Sequence, residues 1–315
     1  MRGRSLTMAH GWLILADDLT GAADCAIAFG RRGRAAVVTW GEIGDAGDRR
    51  LPVLAYDAAS RGLAAKAAAG RHADVLARLS EPRRLLFKKI DSTLRGQPAA
   101  EIAAVLAHVK SRSGSAFGVF APAFPATGRT TVGGRVRVKG RALEEAEVWQ
   151  RDHSYPNADL VDVLATAGVR GEKVKLATIR GGDLSAAFTR LARKGDVIAV
   201  CDAETDHDLH LIAEASLPMS SATVSSATFF IGSAGLAHAL AGFEAGDASE
   251  PPRITASASG TLIVVGSLAG ASRSAARELE ATGTVKHFAV APETLLNRGA
   301  GRGSLAAEVT KRLSG

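Results

Sequence analysis

The chain has 315 residues, a formal charge of +7 from 39 Lys and Arg against 32 Asp and Glu, and 46% hydrophobic residues. This balance excludes disorder for the bulk of the chain, and no apolar run reaches the roughly 18 residues of a helical membrane span. The basic residues are scattered and aromatics make up only 5%, so no Lys/Arg block with interleaved aromatics points to nucleic acid.

At roughly 150 residues per domain, the length predicts about two domains. The first ten residues, MRGRSLTMAH, carry charge but no apolar stretch of a secretory signal, so a cytoplasmic protein is expected. Cys25 and Cys201 lie too far apart in sequence to suggest a metal cluster or a disulfide framework and read as buried free thiols.

In chain order, Trp12 to Ala16 reads as a buried strand, followed by Asp-Asp and an alanine-rich helix from Thr20. Strand signals recur at Val37 to Trp40, Leu51 to Ala55, Leu85 to Lys88 and Val119 to Ala121, with helices at Leu63 to Leu79 and Ala99 to Val109. From Gly128 to Arg141 the pattern changes to polar–apolar alternation with glycine punctuation, which predicts an inserted β-hairpin. Beyond it, helices are expected at Asp159 to Ala167, Leu184 to Ala192 and Asp206 to Ala215, and strands at Val174 to Ile179, Val197 to Cys201 and Ala227 to Ile231. The Pro-, Ser- and charge-rich residues 244–258 read as a linker. After them come strands at Thr261 to Val265 and His287 to Val290 and helices at Ser272 to Ala281 and Ser304 to Leu313. The fold class expected is α/β: a mainly parallel sheet flanked by helices, with an inserted β-hairpin, followed by the start of a second α/β domain. The predicted boundaries are a domain over 1–243, a linker over 244–258 and a partial domain over 259–315.

The chemistry-bearing residues cluster where strands end. Asp17 and Asp18 follow the first strand, where α/β sheets bind ligands. Two carboxylates there can bind sugar hydroxyls, hold Mg²⁺ or accept a proton, or Asp18 can simply cap the helix beside a solvated Asp17. Lys89, Asp91, Ser92 and Arg95 fall within KKIDSTLRG; the cations suit a carboxylate or phosphate, and the Asp and Ser suit hydroxyls. Ser60 and Arg61 follow another strand on the same edge. PAFPATGRTT, DAETD and GSAG sit at further strand ends, where pocket walls, helix caps and tight turns are all open readings. Gly266 and Ser267 form a strand–turn–helix junction suited to a phosphate or to a plain turn. No Walker A, GxGxxG, GxSxG or HExxH pattern occurs, and no metal-ligand spacing is found among the eight His residues.

Taken in order, ADDLTGA, KKIDSTLRG, PAFPATGRTTVGG, DAETD and GSAGLA resemble the four-carbon acid sugar kinases over residues 12–240, and VVGS extends the likeness past the linker. That family comprises 3-oxo-tetronate, D-threonate and D-erythronate kinases. The resemblance implies an N-terminal sugar-acid-binding domain and a C-terminal nucleotide-binding domain, of which residues 259–315 are expected to be a part, because the family's glycine-rich ATP-binding segment has no counterpart here. It implies ATP and Mg²⁺ as cofactors and phosphorylation of the terminal hydroxyl of a four-carbon acid. It implies catalytic roles for Asp17 and Asp91, substrate contacts from Asp18, Ser60, Arg61, Lys89, Ser92 and Arg95, and nucleotide contacts from Gly266 and Ser267, with no resident metal ligands. The expected partner is a small sugar acid, with no nucleic acid and no membrane, and a homodimer is admissible. The competing expectation is a non-catalytic sugar-acid-binding relative, truncated or degenerate, which ATP binding would distinguish.

Overall fold

A computed structural model describes residues 11–42, 51–151, 154–220, 226–244, 262–266, 270–291, 293–294 and 301–313. The chain forms two compact units, residues 1–251 and 252–315.

In the first unit, the unbroken apolar runs become strands buried on both faces, as the strands of a parallel sheet covered by two helical layers must be. β1 (Gly11–Ala16), β2 (Ala36–Trp40), β3 (Val53–Asp57), β4 (Arg84–Lys89) and β5 (Ala116–Ala121) join β9 (Gly171–Val174), β10 (Val197–Cys201) and β11 (Ala227–Gly232) in one eight-stranded sheet. The order is β2-β3-β1-β4-β11-β5-β10-β9, parallel at every pairing. Side chains alternate along each strand. Trp12 and Ile14 of β1 therefore enter the core shared with α1 (Leu19–Gly30), α7 (Leu184–Ala192), α8 (Asp206–Ser216) and α9 (Ala234–Ala241). Leu13 and Leu15 enter the opposite core, with α2 (Ala65–Leu79), α3 (Pro98–Ser113) and α5 (Leu160–Ala165).

The strand order reverses around β1, with β3 on one side and β4 on the other. Registers Ala16↔Asp57 and Leu15↔Lys88 bring the C-terminal ends of the three strands level, and Gly232↔Lys89 adds the end of β11. Such a reversal opens a crevice at the strand ends, the usual ligand position in doubly wound sheets.

The inserted hairpin is present as β6 (Arg129–Val132) and β7 (Arg135–Val138), extended by β8 (Arg141–Ala142) into a small antiparallel sheet and followed by α4 (Glu147–Arg151). Its two-residue turn, Gly133-Gly134, has φ of +63° and +76°, the pair of positive angles a type I′ turn needs. Asp202 accepts hydrogen bonds from both turn amides at 2.9 and 2.8 Å, so the first acid of DAETD fixes the hairpin to the end of β10. Asp208, just past that motif, is structural as well, since it forms a reciprocal capping box with Thr205 at the start of α8.

Three expected strands differ. The strand expected over Val174 to Ile179 lies earlier in the chain, as β9, and residues Leu176–Arg180 form a short helix, α6. β9 is an edge strand whose neighbour β10 ends at Cys201, the register partner of Val174, so no ladder exists for the residues beyond. In the second unit, Leu262 to Val265 and His287 to Val290 carry no strand; the described residues of that unit supply no strand to pair with, and all four of Leu262 to Val265 are exposed. That unit contains helices Gly270–Ala281 and Gly301–Leu313. Of the expected linker, only Glu244 lies within the described residues. Among the described residues, no helix is long and apolar enough to cross a membrane.

Candidate active site

The loops after β1 and β3 are tied together by their backbones. Ser60 N–H and Arg61 N–H donate to the Asp17 carbonyl at 3.0 and 3.2 Å, and Ala58 N–H donates to the Ala16 carbonyl at 2.9 Å. This brings Arg61 over the two adjacent carboxylates. Its Nε donates to Asp17 Oδ2 at 2.7 Å and its Nη1 to Asp18 Oδ2 at 2.9 Å, while Nη2 lies 2.8 Å from Asp18 Oδ1 and 3.8 Å from Asp91 Oδ1. Burial by itself would weaken the guanidinium charge, but Asp17, Asp91 and Asp18 outweigh it and hold the Arg61 pKa above its usual value.

Asp91 has its own clamp. Arg95 Nε and Nη2 donate to it at 3.1 and 2.7 Å, and the Thr93 amide and hydroxyl donate as well. Burial pushes its pKa up, but the Arg95 and Thr93 hydrogen bonds and the Arg61 charge win, and the carboxyl is held well below the usual carboxylate range. Two non-glycine residues in these loops, Ala59 (φ +48°) and Leu94 (φ +62°), adopt the left-handed conformation. Each costs about 1–2 kcal/mol, a strain that concentrates where a loop must aim its side chains.

Asp18 is the N-cap of α1: it accepts from Gly21 N–H at 3.0 Å and from the Thr20 hydroxyl at 2.6 Å. Beside it stands Lys89, only 6% exposed. Among the described residues, its ammonium has no hydrogen-bond or ion-pair partner. Asp18, Gly21, Arg61, Lys89, Asp91 and Arg95 line a cavity of about 530 Å³, with Ser92 from the same loop and Phe124, Ser233 and Ala234 from the ends of β5 and β11. That volume is within the range of small-molecule sites. Arg61 and Arg95 already have carboxylate partners, so Lys89 is the cation left to meet an anion from outside, next to the first amides of α1.

The sequence-predicted residues thus divide. Asp18, Arg61, Lys89, Asp91, Ser92 and Arg95 converge on the cavity. Asp17, 2% exposed, lies behind Arg61 and does not line it. Ser60 is fully buried and its hydroxyl donates to Glu101 Oε1 at 2.6 Å, so it faces away from the cavity. Gly266 belongs to the second unit, where nothing lies within 4 Å of the position its Cβ would take; Ser267 lies outside the described residues. Among the described residues, no three His, Cys, Asp or Glu side chains are placed to hold a metal ion. Asp17, Asp18 and Asp91 are occupied by arginines, and they do not fit a resident Mg²⁺.

Gly21, in the first turn of α1, leaves no room for a side chain: a Cβ there would lie 2.5 Å from Asp18 Oδ1 and 2.5 Å from Lys89 Nζ. The ammonium is the flexible member, so Gly21→Ala should fold, with Lys89 displaced. Affinity for an acid ligand should fall about tenfold, readable by calorimetry, because charge placement within about 1 Å matters at such sites.

Behind the cavity wall lies a second polar group. Glu101 Oε2 is 2.9 Å from Lys88 Nζ and 3.7 Å from His72 Nε2, and all three residues are buried. Burial first, and then the Lys88 charge, push the His72 pKa down from 6.5 to about 3. An unfolded chain takes up this proton near pH 6.5 and the folded chain only near 3, so stability falls as pH drops through that window. Glu101, held below its usual value by Lys88 and His72 despite burial, adds a loss in the same direction at lower pH. Urea midpoints should therefore decline from about pH 6.5 to about pH 4, and His72→Gln should flatten the decline by up to about 1.4 kcal/mol per pH unit.

Residues 12–240 match the family model described as a sugar-binding N-terminal domain. The chain is 43% identical to a D-threonate kinase of Cupriavidus necator, over 92% of this chain and 68% of that protein. It is 34% identical to a D-threonate kinase of Salmonella typhimurium, over 72% of this chain and 52% of the relative. Among solved structures, a Bordetella bronchiseptica protein described as a domain-swapped dimer with bound citrate superposes with a TM-score of 0.60 at 30% identity, covering 74% of this chain and 57% of that one. The chain thus spans about half to two thirds of the length of these proteins.

Proposed function

Because this chain belongs to the four-carbon acid sugar kinase family, we propose that its first unit binds a four-carbon sugar acid for phosphorylation of the terminal hydroxyl by ATP. The observation that carries this reading is Lys89: a residue only 6% exposed, whose ammonium has no hydrogen-bond or ion-pair partner among the described residues, at the wall of a cavity otherwise rich in hydroxyl-binding groups. An unpaired buried cation is costly to keep unless a ligand supplies the counter-charge.

In this reading Lys89 and the accessible edge of Arg95 hold the substrate carboxylate. Asp18, Asp91 and Ser92 take its hydroxyls. Asp91 is too weak a base, held so far below the usual carboxylate range, to remove a proton outright; it orients the attacking hydroxyl by accepting its hydrogen bond. That suffices for phosphoryl transfer, whose loose transition state depends mainly on positioning and charge stabilisation. Asp17 acts through Arg61, which it orients. Gly266 and Ser267 are proposed to contact the nucleotide, and Mg²⁺ bound to its phosphates would supply charge stabilisation there. The names of the two bacterial relatives support D-threonate as the preferred acid. The domain-swapped dimer among the solved relatives supports a homodimer, and a cytoplasmic location is part of the same proposal.

Calorimetry of D-threonate, L-threonate, D-erythronate and a 3-oxo-tetronate against the chain tests the binding half. Coupled ADP release with ATP and Mg²⁺ tests the transfer. Saturable binding of at least one acid, with none for the uncharged alcohol threitol, is the expected result. Absence of binding for all four acids would refute the reading.

A further inference from the structure

A buried ion pair is rarely worth more to stability than apolar side chains of the same size, and Lys88–Glu101 is such a pair. Its connections run toward the cavity. Glu101 Oε1 accepts from the Ser60 hydroxyl at 2.6 Å. Glu101 Oε2 meets Lys88 Nζ, which in turn donates to the backbone carbonyl of Lys89 at 2.6 Å. Ser60 directly precedes Arg61, and Lys88 directly precedes Lys89. Because neighbouring residues of a strand face opposite sides of the sheet, Lys88 is directed into the α2–α3 layer and Lys89 toward α1 and the cavity. One buried carboxylate on the first turn of α3 thus grips the chain immediately upstream of both cations.

We propose that Glu101 is a positioning residue for the acid site: through Ser60 and Lys88 it sets where Arg61 and Lys89 stand relative to each other. Glu101 touches no ligand itself. The inference rests on the reading of the cavity as an acid site, and its test separates the two. The apolar triple variant Ser60→Ala/Lys88→Met/Glu101→Leu removes the Glu101 carboxylate together with its Ser60 and Lys88 links and leaves none of their charges behind; of the polar group only the His72 imidazole remains. It is expected to melt at or above the wild-type temperature. Even so, it should bind D-threonate at least about tenfold more weakly. In the unliganded chain, the amides of Ser60 and Arg61, which donate to the Asp17 carbonyl, should exchange with solvent faster. Glu101→Asp, which keeps the charge but shortens the reach by one methylene, should show the same two effects and serves if the triple variant does not fold. Unchanged affinity and unchanged exchange in a folded variant would overturn the proposal, since a purely structural network would be fully replaced by apolar packing. If the wild-type chain binds no sugar acid, the functional reading fails, and amide exchange alone then decides: faster exchange upholds the positioning role and unchanged exchange rejects it.

Discussion

Arg61→Met is expected to be the most destabilising single substitution at the cavity. The guanidinium is the shared countercharge of Asp17, Asp18 and Asp91, with contacts from 2.7 to 3.8 Å. Removing it leaves Asp17, 2% exposed, as a buried carboxylate without its cation. Breaking a buried pair from one side costs about 3–5 kcal/mol, which in a unit of this size lowers the melting temperature by about 10 °C. Acid binding should be lost with it, because the three carboxylates then repel the ligand. Arg61→Lys restores one charge but not the fork that spans two aspartates, so it should fall between the wild type and Arg61→Met in both thermal melts and calorimetry. A melting temperature unchanged in Arg61→Met would show that the arginine does not hold the three loops together.

Lys89→Met is expected to move function and stability in opposite directions. Lys89 is 6% exposed and its ammonium makes no hydrogen bond or ion pair among the described residues, so its partial dehydration is offset only by the more distant Asp18 carboxylate in the free protein. An apolar side chain of similar length removes that cost, and the variant should melt at or above the wild-type temperature. The ligand carboxylate, in contrast, loses its principal cation. Truncating one side of a buried charged hydrogen bond costs about 2–5 kcal/mol of binding, so D-threonate affinity should fall at least about thirtyfold. A lysine kept for packing alone would give the reverse: a lower melting temperature and unchanged affinity.

The contrast between these two cations marks what the amino-acid sequence discloses and what it conceals. The strand-end motifs are legible because short apolar runs such as Trp12 to Ala16, alternating with helical segments, read most simply as buried parallel strands, and the polar residues that follow them then collect on one sheet edge. Six of the expected site residues do meet there. The directions of the side chains are less visible. Asp17 and Asp18 are neighbours, yet one is sealed behind Arg61 and the other caps α1. The doublet Lys88-Lys89 offers a signal that strand alternation makes readable: one lysine of the pair has to enter a helical layer and find an acid there, and Glu101 on α3 is that acid. Ser60 belongs to this hidden group rather than to the cavity. The close approach of Lys89, from another strand, to Gly21 leaves no local trace in the sequence. The displaced strand near Val174 and the unpaired run Leu262 to Val265 have a common cause, since an apolar β-branched segment becomes a strand only where a neighbour offers a ladder.

The most direct test of the acid site is a crystal structure of the chain soaked with D-threonate. The acid is expected in the cavity between α1 and the loops after β1, β3 and β4, with a carboxylate oxygen about 2.8 Å from Lys89 Nζ and hydroxyls on Asp18, Asp91 or Ser92. A carboxylate bound away from Lys89, or density for the acid only outside this cavity, would contradict it.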